Sequence, residues 1–507
     1  MMSAIRIVWL SGLVLLIATS VGKAADDTSP DNLLIVLAWS PAASEASDTS
    51  ALGGKNGVVE YPPDEQAPAI ANVVPMFWLK ADVTPEQAKL ALDQQPEGYR
   101  CMIWVWDGLG GDPLKSDADK IKASDGSLVR GIWAEHGVAQ TAAAMRDFFT
   151  HYKSLGGKLD YLVLDYEEGF TRWHRGMTPK AFAAIESDPR FSSEGWANKL
   201  GFNDLVVELT EKPFPTVNQK NWNAVMGAHR VELLNKSISD PVLAIFPNAK
   251  ISNYGDADLA GLPDLNGHER LNISSLRRHT GTHQSANVYG IIQSGLSRKK
   301  FNGEQAFGSG PFQSLVLGVN TARAMAIHGE TPFMPWVGFL AFVGRGSEYS
   351  GSDYYQEMLL HVAMTGPEVI LYWNPYPWRA NQDPTRWSDA EQDQLVGRLM
   401  RQFNTLAGFA DRRTLVTELA SWNEPFLLSG ITANGASVWR LTPELNLSAD
   451  GNLDDIVVST DPLTFRIKNR IVKFPQGNLY RPDHNDAPLG YWIIAPLSVR
   501  PIMRPAQ

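Results

Sequence analysis

Cysteine is nearly absent: the 507-residue chain has one, Cys101. No intrachain disulfide is possible, so the fold must be held by packing. Cys101 lies in an apolar β run and reads as buried packing rather than as a nucleophile. Positive charge is also in short supply, with 45 Lys and Arg against 55 Asp and Glu, a formal net charge of -10. That balance argues against a nucleic-acid partner, which calls for a basic patch. Several motifs are missing. No Gly-x-Gly-x-x-Gly turn follows a strand and no P-loop is present, which disfavours nucleotide-binding α/β folds. There is no His-Glu-x-x-His and no Cys/His cluster; His279 and His283 are four apart but in loop-like sequence, so neither a metal nor another cofactor is expected. A Gly-x-Ser-x-Gly nucleophile elbow is absent, and Gly308-Ser309-Gly310 reads as a flexible loop.

Long apolar runs are confined to the start of the chain. Arg6 precedes the mostly apolar stretch Ile7 to Val21, and Gly22-Lys23-Ala24 is an acceptable cleavage site. Residues 1–24 are therefore expected to be an export signal, leaving a secreted or periplasmic protein with no stable membrane insertion. Export without disulfides has a bacterial character. Residues 25–69 hold one strand candidate, 33–39, and an Ala-, Ser-, Gly- and Pro-rich loop at 41–68.

From residue 70 to 407 apolar β runs alternate with helical patterns. Strands are expected at 73–79, 100–106, 160–166, 249–254, 287–293, 333–340 and 368–373. Helices are expected at 84–94, where Thr84-Pro85 is a start signal, and at 140–155, 221–239, 312–328, 354–364 and 389–403. Residues 107–137 read as a long loop. With 33–39 included, seven or eight strands alternate with helices, which predicts an α/β fold of the (β/α) TIM-barrel type. Residues 408–507 change texture: short β runs at 414–420, 425–431, 436–441, 463–467 and 490–496 predict a small antiparallel β-sandwich.

The strand 160–166 runs from Asp160 into Asp165-Tyr166-Glu167-Glu168. Alternate residues of a strand share a face, so Asp165 and Glu167 point one way and Tyr166 and Glu168 the other. Acids at the carboxyl end of an apolar strand suit acid–base chemistry on a glycosidic bond. Glu167 is the expected general acid, its pKa raised by the neighbouring Asp165. The structural alternative pairs one acid with Arg172 or Arg175. Other strand ends supply Asp107, Tyr254, Asp256, Trp336, Trp373 and Asn374 as expected substrate contacts, with Asp82 a weaker candidate. The 16 Trp would provide flat faces for sugar rings where they do not pack the core. A carbohydrate substrate is the one expected partner. Turn capping by Asp107, turn formation at Asn253-Tyr254-Gly255-Asp256 and core packing by the tryptophans are the competing readings.

The run Tyr161-Leu162-Val163-Leu164-Asp165-Tyr166-Glu167-Glu168-Gly169-Phe170-Thr171-Arg172-Trp173 resembles the Asp-x-Glu strand of the hyaluronidase family of glycoside hydrolases. Segments 73–79, 246–256, 321–339 and 365–374 resemble other parts of that family in compatible order. Asp160, Asp165 and Glu167 also match three of the four acids of the chitinase signature, with Val163 in place of the remaining Asp and Tyr161 in place of Gly. The resemblance implies a retaining, substrate-assisted hydrolase. Glu167 would protonate the leaving oxygen and Asp165 would stabilise the charge formed when the substrate's N-acetyl carbonyl attacks. Tyr254 would position the acetamido group, and Trp373 would line its pocket. Read from the residues alone, a conventional double displacement with Asp107 or Asp256 as nucleophile stays open. So does a non-catalytic carbohydrate-binding or surface protein on the same barrel.

Overall fold

The computed structural model describes residues 33–39, 73–105, 108–166, 178–200, 219–254, 279–288, 300–301, 304–305, 311–338, 351–373, 389–408, 412–421, 424–445, 456–480, 487 and 489–506. The expected signal segment and the loop 41–68 lie outside them, and among them no helix is long and apolar enough to cross a membrane.

The first part of the chain is α/β with parallel strands. They are β1 (Val36–Trp39), β2 (Val73–Pro75), β3 (Phe77–Trp78), β4 (Cys101–Val105), β5 (Tyr161–Asp165), β6 (Lys250–Asn253), β7 (Asn287–Val288), β8 (Trp336–Gly338) and β9 (Ile370–Trp373). One sheet has the order β2-β1-β9-β8-β7 and another the order β3-β4-β5-β6. A single residue, Met76, separates β2 from β3, so one extended segment pairs with β1 through its first half and with β4 through its second. At the far edges, Thr282 and His283 both donate their backbone N–H to the Ile251 carbonyl at 2.9 Å, and Gln284 bridges in parallel to Phe333.

The apolar strands read as continuous hydrophobic runs because both faces are buried. Leu37, Met76, Ile103, Val163 and Leu371 meet in one cluster drawn from both sheets. Their sequence neighbours turn the other way: Val36, Ala38 and Ile370 pack under the helices Pro311–His328, Gly351–Ala363 and Asp389–Ala407. Met102, Leu162 and Ile251 pack under the helix Glu135–Ser154. Asn404, in the helix Asp389–Ala407, accepts from Leu34 N at 2.9 Å and donates to Leu34 O at 3.0 Å, clasping the backbone just ahead of β1.

The helix Pro85–Leu92 starts as its sequence predicts, with a capping box between Thr84 and Gln87. The next helix departs from expectation by beginning at Glu135 rather than 140. Its cap is remote: Asp119 accepts from His136 N at 2.9 Å and Gly137 N at 2.8 Å, and no local signal announces that. The expected loop 107–137 also contains a hairpin, Lys120–Lys122 with Leu128–Arg130. Short helices at Pro179–Ser187, Pro189–Ser193 and Trp196–Leu200 were not anticipated, and the helix at 221–239 ends as a π-helical turn, Asn235–Ser239.

The C-terminal strands form two antiparallel sheets, one of five strands and one of four. Their inward side chains share one core in which Trp439 meets Phe474 edge-on at 6.0 Å and Phe465 meets Tyr491 at 5.2 Å. The expected strand 414–420 is a correction, since only Arg413–Thr414 pairs there. Leu415 N still donates to Gly430 O at 2.7 Å, and the chain then meets the α/β part, where Asn320 donates to Ala420 O and Arg323 to Glu418 O.

A buried polar chain fastens the C-terminal sheets to the helix Gly351–Ala363. Arg440 donates Nε to Glu357 Oε2 at 2.9 Å and Nη2 to Oε1 at 2.6 Å, with both side chains fully buried. Thr442 donates to the same carboxylate at 2.7 Å. It therefore accepts from His361 Nε2 at 2.9 Å, which leaves His361 Nδ1 to accept from Ser429 Oγ at 2.7 Å. Burial, with the nearby positive charges of Arg440 and Arg323, holds the His361 pKa well below its ordinary value and keeps the ring neutral.

Candidate functional site

Asp165 is the last residue of β5, at its carboxyl end. It shares the parity of Tyr161 and Val163, both members of the enclosed cluster, so its carboxylate faces the same interior. The register opposes Val105 to Asp165 and Leu164 to Asn253, fixing the three strand ends side by side. Tyr254 N donates to Leu164 O at 2.7 Å, extending that alignment past β6. The Tyr254 ring stands edge-on to Trp336, with centroids 5.5 Å apart and planes at 79°.

The interior is polar on one side. Ser252 and Ser285, both buried, alternate with outward-facing Ile251 and Ala286 and so share the inward face with Asp165. At the amino end the interior is stoppered by Lys250, which pairs with Glu368 and donates to Tyr161 Oη at 3.2 Å. Burial raises the Tyr161 pKa and keeps that phenol protonated. His283 lies close by; burial pulls its pKa down to about 4, so it is neutral at pH 7.

Tyr166 faces away from Asp165, as alternation requires. It is buried, stacks on Trp104 with centroids 6.2 Å apart, and donates its hydroxyl to Asp112 Oδ1 at 2.8 Å. Burial and the Asp112 charge hold its pKa well above the ordinary phenol value. Tyr166 N donates to Asn253 Oδ1 at 3.0 Å. Sequence reasoning missed Asn253 and Asp112 as the residues that hold the chain beyond Asp165. The Asn at a strand end was the available signal for the first; nothing local marked the second.

Asp165 is 1% exposed, and Trp336 is fully buried in the enclosed cluster, where it backs Tyr254. Alternation reports which way a side chain points, not how deep its strand lies. Asp82 sits exposed in the turn after β3. Cys101 is free and buried, and burial raises its pKa, in keeping with packing. Glu167, Asp107, Asp256 and Asn374 lie outside the described residues, as do Glu168, Arg172 and Arg175, and the Trp373 side chain is likewise outside them. Among the described residues no group of three or more His, Cys, Asp or Glu could hold a metal ion.

No protein-family model matches the chain, and no curated protein matches it. Solved structures similar to it include a glycoside hydrolase family 30 subfamily 8 xylanase, Xyn30A, from Clostridium acetobutylicum. It is 12% identical, with 92% of this chain and 94% of that one covered, at a TM-score of 0.33. A conserved exported protein from Bacteroides fragilis is 10% identical over 94% of this chain and 97% of that one, at a TM-score of 0.40. A glycoside hydrolase family 5 protein from Bacteroides vulgatus is 9% identical over 82% and 86%, at a TM-score of 0.33.

Proposed function

We propose that the chain is an exported glycoside hydrolase whose parallel strands close into an eight-stranded (β/α) barrel, followed by a C-terminal β-sandwich, and that it cleaves a poly- or oligosaccharide. The observation that carries this reading is Asp165: a carboxylate on the inward face at the carboxyl end of a parallel strand, beside Tyr254 and on the polar side of the interior. That is the end at which α/β barrels assemble their chemistry.

In this proposal Glu167 is the general acid and Asp165 its partner. A negative charge held away from water acts strongly on a neighbouring carboxyl and raises its pKa, which keeps Glu167 protonated near neutral pH. The finer proposal, from the hyaluronidase-like and chitinase-like resemblance, is retention through the substrate's own N-acetyl group. Asp165 would face the developing positive charge, and Tyr254, braced by Trp336, would position the acetamido group. Asp107, Asp256, Trp373 and Asn374 are proposed substrate contacts.

The test is a screen of the purified protein against polysaccharides and aryl glycosides, with and without N-acetyl groups, followed by Glu167→Gln on whichever is cleaved. General acid catalysis contributes roughly two to four orders of magnitude, so kcat should fall by that much while sugar binding persists. Turnover close to wild type would remove Glu167 from the role.

The near-complete burial of Asp165 favours a second reading, a carbohydrate-binding barrel without hydrolysis. Binding of a saccharide by the wild type, with no cleavage of any substrate in the screen, would select it.

A further inference from the structure

The outward face of the four-stranded C-terminal sheet carries charge of one sign. The strand Leu463–Ile467 pairs with Arg470–Phe474, which pairs in turn with Ile502–Pro505. Leu463, Phe465, Val472 and Phe474 point into the sandwich core. By alternation, Thr464, Arg466, Ile471, Lys473, Ile502 and Arg504 point the other way. The register sets them in two rows, Thr464-Lys473-Ile502 and Arg466-Ile471-Arg504. Lys473 is therefore the diagonal neighbour of both arginines, roughly 7–8 Å from each in backbone position. All three cations are exposed. The five-stranded sheet is the one that packs on the helices of the α/β part, so this face lies on the far side of the sandwich.

No carboxylate answers these cations. None of the four strands of the sheet contains Asp or Glu. Among the described residues, Arg466, Lys473 and Arg504 form no ion pair. The cations at the turn of the same sheet do: Lys468 pairs with Glu444 and Arg470 with Glu424, each at 2.6 Å. Three unpaired like charges within a Debye length repel one another, and a bound polyanion relieves that repulsion. The rest of the chain cannot supply the asymmetry by default, since its formal net charge is -10.

The shape of the face narrows the partner. It presents no aromatic ring, so a single-stranded nucleic acid finds nothing to stack on. Met503, the most exposed apolar residue of these strands at 58%, lies opposite inward-facing Val472, so it cannot join the cations in meeting a lipid surface. A flat face with cations on three adjacent strands suits an extended chain that bears repeated anionic groups. We propose that this face binds an acidic polysaccharide, whose carboxylates or sulfates accept from Arg466, Lys473 and Arg504 as the chain crosses the three strands. The choice of a saccharide rests on the proposed function; the charge and register do not.

The test is the affinity of the purified full chain for dextran sulfate against unsulfated dextran, with polygalacturonate as a carboxylate-bearing chain. Both charged polymers should bind at least tenfold more tightly than dextran, and added salt should weaken them. Arg466→Gln, Lys473→Gln and Arg504→Gln are surface changes that should fold normally. Each should weaken dextran sulfate by roughly two- to fivefold, and the triple variant at least tenfold. Lys122→Gln, at an exposed cation of the hairpin in the α/β part, should change nothing. Equal affinity for dextran and dextran sulfate, undiminished binding by the triple variant, or an equal loss in Lys122→Gln would overturn the proposal. So would tighter binding to duplex DNA or to phosphatidylglycerol vesicles than to either charged polysaccharide. Binding through these cations by a protein that hydrolyses no saccharide would remove the enzyme reading and leave this one standing.

Discussion

Asp165 is secluded from solvent, so in the proposed chemistry any charge it carries would reach Glu167 through protein rather than through water. If Asp165 raises the pKa of Glu167, replacing it with Asn removes that negative charge and lowers the acid's pKa. The basic limb of the pH–rate profile, where the acid loses its proton, should then move to lower pH in Asp165→Asn. A profile that keeps its position while kcat falls would mean that the two residues are not electrostatically coupled. The inward direction of Asp165 and the outward direction of Tyr166 were both legible, because strand parity is a local property. The depth of Asp165 and Trp336 was not. Depth depends on how many other strands and helices surround the segment, and no single stretch of sequence carries that.

Elements were readable where their signals were local. The helix Pro85–Leu92 carries its own cap in Thr84 and Gln87, and the parallel strands announce themselves as continuous apolar runs. The short helices Pro179–Ser187 and Pro189–Ser193 were also readable in principle, since Thr178-Pro179 and Asp188-Pro189 are N-cap and first-turn pairs, but each is too brief to show periodicity. The helix Glu135–Ser154 is the opposite case, because its true start depends on Asp119, 17 and 18 residues away from the N–H groups it accepts. Asp119→Ala should therefore behave as the loss of a helix cap, at a cost of about 1 kcal/mol and up to about 2 kcal/mol. Urea titration followed by circular dichroism measures it, and an unchanged midpoint would show that the contact contributes nothing. Among the C-terminal strands that escaped notice, Arg470–Phe474 carries charged residues that break its alternation, Val457–Thr460 is short and only half-buried, and Ile502–Pro505 is exposed along its length.

On the scale of the whole molecule, the polar chain from Arg323 through Ser429, His361 and Thr442 to Glu357 and Arg440 joins helices of the α/β part to the C-terminal sheets. Breaking a fully buried ion pair leaves its partner charged and unsolvated. Arg440→Met should destabilise by about 3–5 kcal/mol, and adding Glu357→Met should recover part of that loss, both read from urea midpoints. A cost below about 1 kcal/mol would mean that water reaches Glu357 once the arginine is gone. Two buried histidines, only one of them in this chain, predict a pH dependence. His361 is held neutral well below the ordinary 6.5, and His283 down to about 4. Below about pH 6.5 the unfolded chain takes up protons at these positions while the native state does not, so their contribution is complete above 6.5 and is lost as pH falls towards 4. Each site supplies a slope of up to about 1.4 kcal/mol per pH unit. The melting temperature should fall between pH 6.5 and 4.5, and His361→Gln should start lower but fall less steeply. Parallel curves for the two proteins would show that His361 does not titrate on unfolding.

The position of β1 between β9 and β2, with Asn404 gripping Leu34, has a consequence for how the chain comes into being. A ribosome releases residue 34 hundreds of residues before residues 370–404 exist. The opening strand must then wait with one of its two edges bare until synthesis of the α/β part is nearly finished, a long interval in which foreign strands could add to it. Nascent chains truncated ahead of residue 370 should thus be the ones that chaperones hold and proteases trim.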